Sequence, residues 1–171
     1  MSNKTNFDIE QISPFNSVDK ANISELYKDS EKIVLDIGDP ITIKNQISNK
    51  IYIITSGQAR VLYNTKDKRS TLTKLGQGEV IGLASLLTVS GCEDIIAAST
   101  IELIAFSEES ILKLYFKDNN FRNYCNSNIQ PQELQSITEK INNDLLNSDT
   151  TFREIFLALS NEAKLIINND N

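Results

Sequence analysis

The chain has 171 residues, of which 40% are hydrophobic, and its 17 basic and 23 acidic residues give a net charge of −6. This length suits one domain with a sizeable core and one appended element. The acidic balance disfavours a general nucleic-acid-binding surface. There is no apolar run long enough to span a bilayer, and the polar start lacks the core of a signal peptide, so we expect a cytoplasmic protein.

The sequence contains no histidine. Imidazole is the usual ligand of metal-dependent jelly rolls and the base in Ser-His and Cys-His catalysis. We therefore expect neither an enzyme nor a metal site. The two cysteines, Cys92 and Cys125, form no disulfide framework or metal motif and are predicted to be buried or idle thiols.

The first half of the chain changes from a helical period to a period of two. Residues 1–12 are expected to fray, whereas apolar residues from Val18 to Tyr27 recur at helical spacing and predict a short helix that ends near Lys28. Short runs rich in β-branched and aromatic residues follow, and their spacing predicts an antiparallel barrel or jelly roll. The predicted strands are 32–36, 41–44, 51–55, 59–63, 69–75, 94–99 and 101–106.

Residues 75–100 contain four of the six glycines. Gly82 precedes a short apolar run that is sufficient for one or two helical turns, and residues 94–99 then return as a strand. A strand, a glycine, a short helix and a returning strand form a cup with a helix N-terminus at its floor, where free N–H groups suit an anion. The candidate pocket residues are Ile81, Gly82, Leu83, Ala84, Ser85, Cys92 and Glu93.

This stretch resembles the phosphate-binding cassette of cyclic nucleotide-binding domains, which runs G-x-x-F-G-E-L-A-L-L and then R-x-A-x-V-x-A-x-T. Residues 51–61, IYIITSGQARV, are similar to the hairpin Y-x-I-x-x-G-x-x-x-V of the same family. The resemblance implies a mainly β domain over residues 1–125, an antiparallel jelly roll with flanking helices, and a C-terminal helical extension over 126–171. The family's ribose-binding glutamate aligns with Leu83 and its phosphate-binding arginine with Cys92, which implies a cassette without its polar anchors.

The segment after the last predicted strand contains no glycine and is expected to be largely helical. Ser107 is predicted to cap a helix with apolar residues at 111–116, and residues 121–125 to form a further turn. Two amphipathic stripes follow, at 134–146 and at 151–166, where Thr151 and Glu154 fit a capping box. We expect the first stripe to pack on the barrel, and the second is open either to packing or to a partner.

Residues 126–171 contain seven acidic and three basic residues. A catabolite-activator-type regulator carries a basic recognition helix after the same barrel, and this acidic balance would repel DNA phosphates. A transcription regulator is therefore the less favoured reading of the extension.

Three strings, SGQARVL from Ser56, GQGEVIG from Gly76 and Cys92-Glu93, are similar to the N-terminal domains of cyanobacterial ABC exporters of the toxin and bacteriocin secretion type. In that group cysteine followed by glutamate is usual at the arginine position. The resemblance implies a regulatory module without a cofactor, which docks on the remaining transporter domains or the cargo and meets the membrane only through them. A homodimer is left open, and so is a genuine sensor of a cyclic nucleotide or another small ligand in the same cup.

Overall fold

The computed structural model describes residues 7–64 and 69–127, together with residues 134, 154, 156, 158 and 159. Two single 3-10 turns, Ile9–Gln11 and Phe15–Ser17, precede the regular elements. In chain order, these are α1 (Lys20–Lys28), β1 (Glu31–Leu35), β2 (Pro40–Thr42), β3 (Lys50–Ser56), β4 (Ala59–Asn64), β5 (Arg69–Leu75), β6 (Val80–Ile81), α2 (Leu83–Thr88), β7 (Ile95–Ala97), β8 (Ile101–Ser107), α3 (Glu108–Lys117) and α4 (Asn119–Ser127).

The strands form two four-stranded sheets in which every pairing is antiparallel. The order in one sheet is β1-β8-β3-β6 and in the other β2-β7-β4-β5. Strand β8 therefore lies between two strands that precede it in the chain by about seventy and fifty residues. The predicted fold class, an antiparallel β domain with flanking helices, is confirmed.

Two apolar clusters make the core. The first joins α1, α3, α4 and α2 to the outer side of the β3–β8 sheet, and its rings include Phe15, Phe106 and Phe121. The second lies between the two sheets. Its fully or almost fully buried strand residues are Ile41, Ile54, Ala59, Val61, Leu72, Leu75, Ile81, Ile95, Ala97, Ile101 and Leu103.

Most predicted elements lie where the sequence patterns put them. The helix that ends at Lys28 is confirmed, and Ser107 caps α3 by accepting a hydrogen bond from the Ser110 N–H at 3.1 Å. The returning strand is shorter than predicted, three residues in place of six. The expectation that residues 1–12 fray is wrong for residues 7–12, because Ile9 is fully buried in the first cluster.

The helical layer is held by two groups of polar contacts. Asp118 accepts hydrogen bonds from the N–H groups of Asn120 and Phe121, which begin α4, and from Asp19 and Asn22 at the start of α1. Burial opposes ionisation of this carboxylate, but the hydrogen bonds outweigh it and lower its pKa.

Glu25 on α1 accepts hydrogen bonds from Lys113 and Lys117 on α3, at 2.7 and 2.8 Å. These hydrogen bonds, together with the two positive charges, lower the pKa of Glu25 to about 2.

The C-terminal predictions fall largely outside the described residues. Both amphipathic stripes, the proposed cap at Thr151 and the boundary between a domain at 1–125 and an extension at 126–171 stay predictions. The isolated residues Leu134, Glu154, Phe156, Ala158 and Leu159 are helical. No helix of the described part of the chain is both long and apolar enough to cross a membrane.

Candidate functional site

The candidate site is the cassette, residues 81–95, together with the part of the second cluster that it adjoins. Strand β6 ends at Ile81, and Gly82 then takes a φ of +93° to start α2. A Cβ atom at Gly82 would come within 2.9 Å of the Lys50 carbonyl oxygen, so a side chain there would be both strained and obstructed. Backbone sterics therefore explain the glycine without any reference to a ligand.

The Gly82 N–H donates a hydrogen bond to the carboxylate of Glu93, with 2.8 Å between N and Oε2. Glu93 is 1% exposed, so this bond is formed away from water. A hydrogen bond in such an environment is electrostatically stronger than one in water. The N–H group at the start of the cassette helix is thus already used by a carboxyl group that belongs to the chain.

A second polar contact closes the loop of the cassette. The Ser85 Oγ atom accepts a hydrogen bond from the Cys92 N–H at 3.3 Å and lies 3.5 Å from the Cys92 Sγ atom. Both residues are buried, as predicted for Cys92, whereas Cys125 is half-buried. The serine and cysteine therefore hold the two ends of the cassette loop together.

Asp94 is the last polar residue before β7 and is 6% exposed. Its two carboxylate oxygens each accept a hydrogen bond from Nη2 of Arg69, at 3.0 Å. Its carbonyl oxygen accepts a further hydrogen bond from the Leu62 N–H at 2.7 Å. The sequence did not indicate this ion pair, since the two residues are 25 positions apart.

Leu83 and Ala84 are buried at the start of α2, and Leu83 belongs to the first cluster with Ile51 and Ile53. Its side chain is thus directed to the helix-side core. All seven predicted pocket residues are buried, namely Ile81, Gly82, Leu83, Ala84, Ser85, Cys92 and Glu93. They do not share one apolar cluster, because Ile81 belongs to the second cluster and Leu83 to the first.

Arg60 and Lys74 are basic residues on the strands of the second sheet. They are cross-strand partners on β4 and β5, and the neighbours of Arg60 on β4, Ala59 and Val61, are both buried between the sheets. Because successive side chains on a strand alternate between faces, Arg60 and Lys74 lie on the outer face. Neither supplies a positive charge to the cup.

Phe156 is the residue of the site that the sequence did not place. It is 3% exposed and belongs to the second cluster, and Leu134 packs against the same cluster while half-buried. The amphipathic stripe at 151–166 indicated that this phenylalanine has an apolar partner. The stripe carried no information on which partner, because that contact joins residues more than fifty positions apart.

A family model described as "Cyclic nucleotide-binding domain" matches residues 32–118, which is half of the chain. The chain belongs to the cyclic nucleotide-binding domain family. The match covers both sheets, the cassette and α3, and it ends before Leu134 and Phe156.

Curated relatives of this cyclic nucleotide-binding domain protein include the cyclic nucleotide-gated channel beta-1 of Homo sapiens and of Bos taurus. Each is 32% identical over 83 residues, or 48% of this chain. These residues make up 7% of the human and 6% of the bovine channel, so the chain spans only a small part of the curated relatives it matches.

Solved structures agree on the fold. The sensor domain of the transcriptional regulator DNR from Pseudomonas aeruginosa has a TM-score of 0.61 at 13% identity, covering 82% of this chain and 97% of that one. The N-terminal domain of a transcriptional regulator from Streptomyces coelicolor has a TM-score of 0.58 at 18% identity, covering 84% and 100%. At these identities the likeness establishes the cyclic nucleotide-binding fold alone.

Proposed function

We propose that this domain is a non-catalytic regulatory or interaction module that does not use a cyclic nucleotide as its ligand. The observation that carries the proposal is the 2.8 Å hydrogen bond from the Gly82 N–H to the buried Glu93 carboxylate. A cyclic phosphate at this position would lose that donor and would meet a buried carboxyl group in its place. Arg60 and Lys74 lie on the other face of their sheet and supply no positive charge there.

The side chains at the two aligned anchor positions support the same proposal. Leu83 offers no acceptor for a sugar hydroxyl, and an unpaired buried hydroxyl costs about 1–3 kcal/mol. Cys92 takes the position of a phosphate-binding arginine, and no other side chain supplies the bidentate, charge-assisted geometry of a guanidinium group.

We further propose that the parent protein is an ABC-type exporter of toxins or bacteriocins, for which this chain is a cytoplasmic N-terminal domain. Support comes from the strings at Ser56, Gly76 and Cys92 that resemble such domains. The module would then act by docking on the transporter or its cargo. Crosslinking of this chain to the core and ATPase domains of such an exporter, with DNR-type sensor domains as the control, tests the partner.

The nucleotide proposal is tested by calorimetric titration of the unmodified chain with cyclic AMP and cyclic GMP, together with thermal melts. We expect no heat of binding and no shift of the melting temperature at millimolar nucleotide. A ligand present at 100 times its Kd would stabilise the fold by about 2.7 kcal/mol, so binding would be evident. A clear shift with the unmodified chain contradicts the proposal.

A variant designed to gain cyclic nucleotide binding makes the test more specific. The double variant Cys92→Arg, Glu93→Ala supplies an arginine at the aligned phosphate-binding position and removes the competing carboxyl group, and we expect it to bind a cyclic nucleotide. The matched control replaces Cys92→Arg by Ser90→Arg, which adds the same charge at an exposed position outside the buried pocket residues. Equal binding by the two variants would show that net charge, not the anchor position, is responsible.

The second candidate function is a genuine small-ligand sensor. The family match and the cyclic nucleotide-gated channel relatives favour it. A small molecule that copurifies with the protein and stabilises it would give this alternative precedence.

A further inference from the structure

The second cluster contains one residue that no strand supplies. Eleven of its buried residues lie on strands β2 to β8, and the twelfth is Phe156, which comes 49 positions after the last strand ends at Ser107. The residues two positions before and after Phe156, Glu154 and Ala158, are exposed. Among the described residues of this segment, Phe156 thus lies in the cluster between the two sheets, whereas Glu154 and Ala158 face solvent.

We propose that the space between the sheets is a binding site for an aromatic side chain carried on a helix, and that Phe156 of the same chain occupies it. The buried strand residues around this space are aliphatic, and Tyr52 and Tyr63 pack against them while partly buried. A phenyl ring buries much apolar area without a polar group that would need a partner. Ile81 and Ile95, which directly precede Gly82 and directly follow Asp94, belong to the same cluster. The aromatic occupant therefore shares its apolar environment with the cassette.

The polar and apolar parts of the site are filled in parallel ways. Glu93 brings an acceptor oxygen to the Gly82 N–H, and Phe156 brings an aromatic ring to the apolar strand residues. An acceptor oxygen and an aromatic ring are also chemical groups that a nucleotide would bring. The chain supplies both from its own residues, so the occupant of the site is a helix of the protein and not a free small molecule.

This inference extends the proposed function, because it names what fills the site, but its tests need no nucleotide. The chain contains no tryptophan, so a single introduced tryptophan reports its own surroundings. We expect Phe156→Trp in the full chain to show blue-shifted emission and protection from acrylamide quenching. The matched control, Ala158→Trp on the exposed side of the same segment, is expected to show red-shifted emission and free quenching.

Two results of this measurement overturn the proposal. One is equal exposure of the two tryptophans. The other is protection at position 156 that disappears on dilution in step with dissociation of a dimer, because the ring would then come from a second copy. Protection that is independent of protein concentration supports occupancy by the same chain.

A second measurement uses the space that a smaller side chain leaves. Apolar cavities of the size of a ring stay dry and bind benzene. We expect benzene to raise the melting temperature of Phe156→Ala but not that of the unmodified chain or of Phe116→Ala, whose ring is 71% exposed. If benzene has no effect on Phe156→Ala and this variant melts like the unmodified chain, the ring does not occupy the site.

Titration of Phe156→Ala with cyclic AMP separates this inference from the proposed function. Binding by Phe156→Ala and not by the unmodified chain would show that the ring closes the site, and would contradict the view that the missing anchors alone prevent nucleotide binding. Binding of cyclic AMP by the unmodified chain would refute the proposed function. If Phe156→Trp is protected both with and without cyclic AMP, the inference about the aromatic site still holds. Release of the protected tryptophan by cyclic AMP would refute the proposed function and support occupancy of the site by residue 156 in the absence of nucleotide.

Discussion

The two apolar clusters differ in where the chain finds the residues that complete them. The first cluster is covered by helices that lie directly before or after strands in the chain. Within it, Phe15 stacks on Phe121 at a centroid distance of 5.7 Å. The second is enclosed by strands on both sides, yet it contains Phe156 from far beyond the last strand. The first is part of the scaffold, whereas the second is a space between sheets that a distant segment fills.

The two clusters differ in what must happen before a buried ring can leave them. Burial of a phenyl ring stabilises either cluster, but a ring on an integral helix leaves its cluster only when the domain unfolds. A ring on a segment that docks from outside can leave while the sheets persist. The comparison therefore predicts different costs for the same substitution in the two clusters.

The largest expected effect is on Phe121. We expect Phe121→Ala to lower the free energy of unfolding by about 3–5 kcal/mol, through lost burial and the cavity that remains. Phe156→Ala is expected to cost at most about 3 kcal/mol, since its cost cannot exceed the free energy with which its segment docks. Urea unfolding followed by circular dichroism measures both.

The exposed ring of Phe116 gives the control, because Phe116→Ala removes the same atoms from a side chain that is 71% exposed. A loss of stability with Phe156→Ala as large as that with Phe121→Ala would contradict the distinction between the clusters. It would make Phe156 as integral to the domain as the helical layer.

Substitution of the buried acidic residues, Asp118 in the helical layer and Glu93 in the cassette, is expected to lower stability by a smaller amount. Asp118→Asn weakens contacts with four donors on two helices, and we expect a loss of about 2 kcal/mol of stability. Glu93→Gln keeps the shape of the side chain but replaces the carboxyl group that accepts from Gly82 by an amide, and we expect a loss of about 1 kcal/mol. Thermal melts at neutral pH show which of the two variants loses more stability. A larger loss with Glu93→Gln would mean that Glu93 contributes more to stability than Asp118.

The elements of the fold were largely predictable because their signals are local. A period of two marks the strands, a serine before two glutamates marks the start of α3, and Gly57, Gly78 and Gly82 occur where φ is positive. The membership of the cassette was predictable for the same reason, since its residues lie within fifteen positions of one another.

The contacts that define the site were not predictable from local patterns. Glu93 was predicted only as a pocket residue, and its bond to Gly82 depends on how the cassette loop folds back. Asp118 meets Asp19 across 99 positions, and Phe156 meets strands from the first half of the chain. Such contacts are selected by the packed structure as a whole, and no periodicity in the sequence encodes them.

The smallest expected effect is the pH dependence of the helical layer. The pKa of Glu25 is lowered from 4.5 to about 2 by its hydrogen bonds with Lys113 and Lys117. Since the folded state holds this carboxylate ionised, its contribution to stability is complete above about pH 4.5 and is lost as the pH falls towards 2. The contribution is small, because the carboxylate is exposed to solvent.

Thermal melts at pH 6 and pH 3 check this prediction. We expect Glu25→Gln to melt below the unmodified chain at pH 6 and to approach it at pH 3, whereas the exposed control Glu102→Gln shows no such convergence. If the melting temperatures of Glu25→Gln and the unmodified chain differ by the same amount at both pH values, the charge on Glu25 does not stabilise the contact between α1 and α3.

The sheet order β1-β8-β3-β6 also sets the order in which the protein is able to assemble as it is synthesised. Strand β8 pairs with both β1 and β3. Strand β1 therefore has no partner strand until about seventy further residues have been synthesised and β8 leaves the ribosome. The β4–β5 hairpin, by contrast, forms as soon as its own residues emerge. One sheet thus has a local nucleus, and the other exposes strand edges to aggregation during synthesis.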